Sequence, residues 1–171
     1  LSAVERVCGG SGVDDSVLEN LTALVDKSLV AVLVGASDEA SGMRYRLLET
    51  LRAYALARLN ARGEGDVARS RHADYFARMV RDFESRIEAQ QAALLKVLDG
   101  DYDNLRAAFN YLANDADGGI AAAEMALGLL DFWWRQGRFE EMRRWLDAAL
   151  KLPVAQKPGE LRARLRHQAA E

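Results

Sequence analysis

The stretch from Leu127 to Glu141 constrains the fold more than any other part of the chain. It joins an apolar helical segment that holds two tryptophans to Gly137, which stands where one helix ends and the next begins. Charged residues recur in the first helix only at Glu124, Asp131 and Arg135, so its polar side is one narrow stripe. A helix that is apolar on both flanks needs neighbours on both sides. The stretch therefore predicts an inner layer of a stacked helical array.

Composition excludes several classes of protein. The chain has 171 residues, 29% of them charged, and a net charge of −3, which argues against nucleic-acid binding by bulk electrostatics but is compatible with a local basic patch. The single cysteine, Cys8, excludes an intrachain disulfide framework and fits a reducing compartment. No apolar run is long enough to cross a bilayer. We therefore expect a cytoplasmic chain that does not enter a membrane.

The first sixty residues follow a helix, hairpin, helix pattern. A helix capped near Asp14 is followed by an apolar run of strand length at residues 28–34 and by residues 43–47, in which polar and apolar side chains alternate. The inner faces expected from the spacing are Val17, Leu18, Leu21, Leu24 and Val25 in the first helix, and Leu51, Tyr54, Ala55 and Leu59 in the second. This outline is that of a winged-helix domain without its first helix, and any other small α+β unit stays an equal alternative.

From Asp66 onward the pattern is wholly helical. One helix has its apolar stripe at Tyr102, Leu105, Ala108, Phe109 and Leu112, and a later one at Phe139, Met142, Leu146, Ala149 and Leu150. We predict a mainly α chain: a partial winged helix with one β-hairpin, followed by antiparallel helical hairpins that resemble tetratricopeptide repeats. The predicted boundaries are residues 1–62 for an N-terminally truncated winged-helix-like domain, 63–116 for a helical connector, and 117–171 for C-terminally truncated repeats.

No residue set predicts a reaction. His72 lies on the apolar side of its helix and has no second histidine or cysteine at metal-ligand spacing, so we interpret it as a core or boundary histidine. The run from Asp99 to Asn104 begins like a calcium loop but lacks its glycine and its closing glutamate. Phosphate-binding, dinucleotide-binding and nucleophile motifs do not occur. We expect no catalytic residue, no cofactor and no metal in this chain.

The helix before the hairpin would enter the DNA groove if the winged helix read DNA. It carries Asp14, Asp15, Glu19 and Asp26 against Lys27 alone, and residues 1–48 hold seven acidic and four basic side chains. Phosphates would repel such a helix. The sequence therefore makes DNA an unlikely partner.

Several blocks resemble one bacterial family. Residues 24–30 (LVDKSLV) and 44–55 (RYRLLETLRAYA) resemble the winged-helix region of STAND-type signalling ATPases, which have an NB-ARC-like core and occur in LuxR-type and SARP-type transcriptional regulators. Residues 71–76 and 103–108 resemble the helix and connector that follow, and residues 127–153 are similar to a tetratricopeptide repeat. The resemblance implies that the nucleotide site lies upstream of this sequence and that the winged helix packs on the nucleotide domain rather than on DNA.

The leading hypothesis is therefore a non-catalytic regulatory and protein-interaction segment that couples a helical-repeat sensor to an upstream nucleotide-binding domain. Alternatives are a DNA-binding winged-helix regulator and a free-standing repeat adaptor. Asp131 and Arg135 are the candidate partner-binding residues, with an ion pair on a solvated face as the other interpretation. A homodimer is expected if truncation leaves Leu21 or Leu29 exposed.

Overall fold

The structure is a computed structural model that describes residues 2–9, 14–34, 43–86, 91–115 and 117–170. Its elements are α1 (Ser2–Cys8), α2 (Asp14–Asp26), β1 (Val30–Val34), β2 (Met43–Leu47), α3 (Glu49–Ala61), α4 (Gly65–Arg86), α5 (Gln91–Gly100), α6 (Tyr102–Asn114), α7 (Gly119–Gly128), α8 (Leu130–Gln136), α9 (Phe139–Leu150), α10 (Pro153–Gln156) and α11 (Glu160–Ala170). The predicted fold class, mainly helical with one β-hairpin in an N-terminal winged helix, is confirmed.

The chain divides into two compact units, Leu1–Tyr75 and Phe76–Glu171, and the division falls within α4. The three-part division at residues 62 and 116 stays a prediction.

The first unit is built on α2 and an antiparallel hairpin. β1 pairs with β2 in a register that places Val30 opposite Leu47 and Val34 opposite Met43. α2 packs on both α1 and β1. This packing buries three apolar residues of α2 and β1: Val17, Leu21 and Val30. Leu21 is 8% exposed and Leu29 is half-buried, so the expectation that truncation leaves Leu21 exposed is wrong, and the homodimer itself stays a prediction.

The last turn of α2 is closed by a residue in the left-handed region. Ser28 follows the helix with φ 56°, and the amides of Ser28 and Leu29 donate to the carbonyls of Val25 and Leu24 at 2.8 and 2.9 Å. This is the Schellman arrangement, which satisfies carbonyl groups that the end of a helix would otherwise leave without a donor. It turns the chain from α2 directly into β1.

The apolar faces predicted for α2 and α3 include residues that the structure leaves exposed. Leu18 and Leu24 of α2 are 48% and 39% exposed, and Tyr54 of α3 is 64% exposed. No residue of α3 is buried. These positions have the apolar spacing of a core face, but no described element of the first unit covers them.

The second unit has its core where the sequence predicts it along α6. All five residues of the predicted stripe are buried there: Tyr102, Leu105, Ala108, Phe109 and Leu112. The helices pack in succession, α6 on α7, α7 on α9 and α9 on α11. This is the stacked helical array expected from the sequence.

Aromatic side chains fill the centre of this unit. Trp133 is fully buried, lies edge-on to Trp145 with ring centroids 5.2 Å apart, and donates from Nε1 to the Tyr102 hydroxyl at 3.1 Å. Tyr102 stacks on Phe132 at 5.8 Å. The guanidinium of Arg138 lies 4.9 Å from the centre of the Tyr102 ring and so adds a cation–π contact at the edge of the core.

The helix that carries the tryptophans differs from the prediction in two respects. It is interrupted at Leu129, immediately after Gly128, because glycine is a weak helix former. Its second part ends at Gly137 with φ 65°, as predicted, but Trp134 is 56% exposed and so the helix is not covered on both flanks.

Candidate functional site

Metal-binding clusters and unpartnered buried polar side chains are absent from the described part of the chain. No group of three or more histidine, cysteine or carboxylate residues among the described positions could hold a metal ion. In the same residues every buried side-chain nitrogen and oxygen has a hydrogen-bond partner. No helix in the described ranges is long and apolar enough to cross a membrane. The candidate sites are therefore surfaces.

Two reactive side chains of the first unit are accounted for by their surroundings. His72 is half-buried in α4 and interacts there, in keeping with a boundary histidine. The Cys8 side chain is exposed, yet partial desolvation raises the pKa of its thiol, and the nearby guanidinium of Arg71 opposes that rise. Since the thiolate is the nucleophilic form, a raised pKa makes Cys8 a poor nucleophile at neutral pH.

The outward side of α2 has the wrong charge for DNA. Glu19 and Asp26 are exposed, and the last turn of the helix contains no basic residue. Lys27, just beyond the helix, is its single neighbouring cation in the sequence. The folded helix therefore presents acidic side chains to solvent, and phosphates would repel it, as expected from the sequence.

The segment from Met43 to Arg62, here called the β2–α3 segment, has the opposite charge. It contains five arginines and one glutamate, a net charge of +4. Strand alternation puts Arg44 and Arg46 on the same side of β2, where Arg46 is exposed and Arg44 is half-buried and interacts. The three other arginines lie on or directly after α3, and all are exposed: Arg52, Arg58 and Arg62.

Only part of this positive charge is neutralised locally. Arg52 donates to the Glu49 carboxylate at 3.1 Å, and both side chains are well exposed, so the pair is weak. Arg58 and Arg62 are four residues apart and so lie on the same side of the helix. Arg46, Arg58 and Arg62 make no ion pair with any residue that the structure describes. They are available to an anionic partner.

The charge of this segment was not predicted from the sequence, because the charge count ended at residue 48. Three of the five arginines lie beyond that point. A count over the hairpin and the following helix would have found them.

Asp131 and Arg135, the predicted partner-binding residues, lie together on α8. The guanidinium of Arg135 donates from Nε to the Asp131 carboxylate at 2.5 Å, and the side chains are 43% and 40% exposed. They form the i,i+4 ion pair that was the alternative interpretation. Their role in partner binding stays a prediction.

Two aromatic residues beside this pair were assigned to the core and are on the surface. Trp134 and Phe139 are 56% and 47% exposed, and their rings meet edge to face with centroids 5.1 Å apart. Trp145, which was left out of the predicted stripe of α9, is 5% exposed. Periodicity alone did not separate the covered aromatic side chains from the uncovered ones.

Comparison with known proteins agrees with the geometry of the first unit. Residues 1–60 match the family described as the winged helix-turn-helix domain. The chain is 38% identical over 153 residues to proteins of Mycobacterium bovis and Mycobacterium tuberculosis that are named "Putative HTH-type transcriptional regulator". The match covers 88% of this chain and 17% of the length of those proteins. No solved structure matches the chain.

The helix, hairpin and helix of the first unit are thus the parts of a known fold, and the likeness to the mycobacterial proteins extends well beyond that unit. Residues 1–60 form a winged helix-turn-helix domain, and the chain is homologous to proteins named as putative HTH-type transcriptional regulators.

Proposed function

We propose that this chain is a segment of a transcriptional regulator that contacts DNA through its winged helix, and that the contact is made by the β2–α3 segment. The observation that carries the proposal is the net charge of +4 on residues 43–62 within a winged helix-turn-helix domain. The regulators to which the chain is similar support it.

The distribution of charge favours contacts to the DNA backbone over reading of bases. Arginines on a strand and on the side of a helix suit phosphate oxygens, which fix position on the duplex without sequence information. α2, whose outward face is acidic, would be held away from phosphates. This arrangement differs from one in which the helix before the hairpin lies in the major groove.

The test is binding of fluorescein-labelled duplex DNA, followed by anisotropy between 50 and 200 mM salt. The informative variant replaces Arg46, Arg58 and Arg62 with glutamine. Removing one arginine–phosphate interaction reduces the slope of log affinity against log salt by about 0.9, so removing all three reduces it by about 2.7.

A matched control removes the same number of charges elsewhere. Arg78, Arg164 and Arg166 are exposed arginines of the second unit, and their replacement with glutamine changes the net charge equally. The control variant should keep the salt slope of the unmodified chain. If the two variants behave alike, or if the unmodified chain does not bind DNA at 50 mM salt, the proposal is wrong.

A second candidate function is the regulatory coupling that the resemblance to STAND-type ATPases implies. Its support is the outward side of α2, where Leu18 and Leu24 are exposed beside acidic residues. An apolar and acidic helix face suits a protein partner such as an upstream nucleotide-binding domain better than it suits DNA. The coding sequence upstream of Leu1 tests this: a phosphate-binding loop there supports the coupling role, and a start codon directly before Leu1 contradicts it.

A further inference from the structure

A small apolar pocket opens on the second unit between α8, α9 and α11. Its volume is about 220 Å³, and we call it the Trp134 pocket. Its lining includes Trp134, Phe139, Met142, Arg143, Leu146 and Gln168. The edge-to-face contact of Trp134 with Phe139 fixes the two exposed rings against each other, so one wall is already in place without a ligand.

The size of the pocket indicates what it can hold. Sites for small organic ligands typically occupy about 300–1,000 Å³, so about 220 Å³ is too small for a drug-sized molecule. It matches the space taken by one large apolar side chain. Buried aromatic or aliphatic anchors of this kind supply most of the affinity in protein interfaces.

The polar groups at the pocket indicate the charge of the occupant. Among the described residues that line the pocket, Arg143 is the one cation and none is a carboxylate. The side chains of Trp134, Arg143 and Gln168 form no hydrogen bond or ion pair with any residue in the described ranges, so the indole N–H and the guanidinium offer donors without acceptors. Two of the acidic side chains nearby along the helices are already paired, since Asp131 binds Arg135 and Glu140 binds Arg144. Asp147, four residues after Arg143 on α9, is exposed and makes no ion pair with any residue in the described ranges.

We propose that the Trp134 pocket binds a peptide segment of a partner protein that carries one large apolar side chain and, close to it, a carboxylate. The apolar side chain enters between Trp134 and Met142, and the carboxylate accepts from Arg143. This proposal is independent of DNA binding by the first unit. It assigns partner binding to Trp134 and Arg143 rather than to Asp131 and Arg135, which form an ion pair with each other.

The test is selection of random 12-residue peptides, displayed on phage, on the full 171-residue chain. The expected result is enrichment of peptides with leucine, phenylalanine or tryptophan within four residues of aspartate or glutamate. The strongest binder is then synthesised with a fluorescein label and titrated by anisotropy. Failure to enrich any peptide, or enrichment of peptides without a carboxylate, overturns the proposal.

Variants of the chain locate the binding. Trp134→Ala should weaken binding by about 30-fold or more, as expected for an aromatic anchor, and Arg143→Gln by about tenfold, as expected when a charge-assisted hydrogen bond is removed. Replacing the peptide carboxylate by its amide should weaken binding to the unmodified chain but have little further effect on Arg143→Gln, because the two changes remove one interaction.

Two matched controls lie outside the pocket. Ile120→Ala truncates another apolar side chain that is 53% exposed, and Arg78→Gln removes another exposed arginine. Both should bind the peptide like the unmodified chain, and equal losses in controls and pocket variants would overturn the proposal. A homodimer that sedimentation detects and Trp134→Ala dissociates would identify a second copy as the occupant and would also overturn it.

Discussion

Replacing Tyr102 with phenylalanine removes one oxygen atom from the core of the second unit and leaves every ring in place. Tyr102 is 8% exposed, and its hydroxyl accepts the hydrogen bond that Trp133 Nε1 donates at 3.1 Å. Trp133 is fully buried, so its indole N–H has no access to water. The substitution therefore leaves a buried donor without an acceptor.

The expected cost follows from that stranded donor. A buried polar group that loses its only partner destabilises a protein by about 1–3 kcal/mol, whereas the loss of an exposed hydroxyl costs almost nothing. The stacking of residue 102 on Phe132 and its contact with Arg138 depend on the ring alone and should persist. We expect Tyr102→Phe to lower the free energy of unfolding by about 1–3 kcal/mol.

Urea denaturation followed by tryptophan fluorescence measures this change in the relevant unit. All three tryptophans lie in the second unit, so the signal reports its unfolding. Tyr111→Phe is the matched control in the same unit, because Tyr111 is half-buried and its hydroxyl makes no hydrogen bond with any described residue, and it should change the free energy of unfolding by less than about 0.5 kcal/mol. If Tyr102→Phe is as stable as the control, the Trp133–Tyr102 bond does not stabilise the core as argued.

The same hydroxyl predicts a dependence on pH. Burial, reinforced by the carboxylate of Glu141, raises the pKa of Tyr102 from 10.0 to about 12, and the hydrogen bond from Trp133 and the charge of Arg138 partly oppose the rise. The unfolded chain then releases this proton at lower pH than the folded one, so raising the pH favours unfolding. The free energy of unfolding should therefore fall by roughly 2–3 kcal/mol as the pH rises from 10 to 12. In Tyr102→Phe this component should be missing, and an identical pH profile for both proteins would contradict it.

Two pairs of substitutions test the burial of two tryptophans and the backbone conformation of two glycines. Trp133→Ala should lower the free energy of unfolding by about 3–5 kcal/mol, because it empties a fully buried site. Trp134→Ala, at a position that is 56% exposed, should cost far less. Comparable losses for the two variants in urea denaturation would contradict the burial assigned to them. Gly137→Ala should lower stability by about 1–2 kcal/mol from left-handed strain at φ 65° alone, since nothing lies within 4 Å of the added Cβ atom. Gly159→Ala, which has equal space and no positive φ, should be neutral, and equal thermal shifts for the two glycines would refute the strain.

The sequence predicts some elements of this fold correctly because the apolar spacing of the element matches the surface that neighbouring helices cover. Along α6 the five apolar positions form one stripe of ordinary width, and the unit covers that whole stripe. At Gly137 the chain needs a left-handed residue to end one helix and begin the next, and glycine is the residue that adopts it without strain. In such cases spacing alone determines the outcome.

Elsewhere the apolar pattern is broader than the surface that covers it. Leu18 and Leu24 extend the stripe of α2, and Tyr54 that of α3, yet the described part of the first unit provides no element against them. Conversely, Trp145 lies beside the predicted stripe of α9 and is buried because Phe109 and Trp133 surround it. Periodicity gives the direction of the apolar face, and only the positions of other helices give its width.

The candidate sites likewise include features that spacing predicts and features that depend on how the helices pack. That Asp131 and Arg135 could pair is evident from their spacing, and the structure shows that they do. The Trp134 pocket combines residues of α9 with residues of α11 more than twenty positions away in sequence, a contact that spacing does not predict. The positive charge of the β2–α3 segment was readable from the sequence, but its significance depends on the winged helix-turn-helix domain that contains it.

The proposed function requires that DNA contacts the β2–α3 segment and not α2. The most direct measurement is a titration of the ¹⁵N-labelled chain with a short DNA duplex, followed by the backbone amide signals and the arginine Nε–H signals in nuclear magnetic resonance spectra. We expect chemical-shift changes concentrated in residues 43–62, including the side chains of Arg46, Arg58 and Arg62, with the signals of α2 unchanged. Shifts concentrated in α2, or none at low salt, would contradict it.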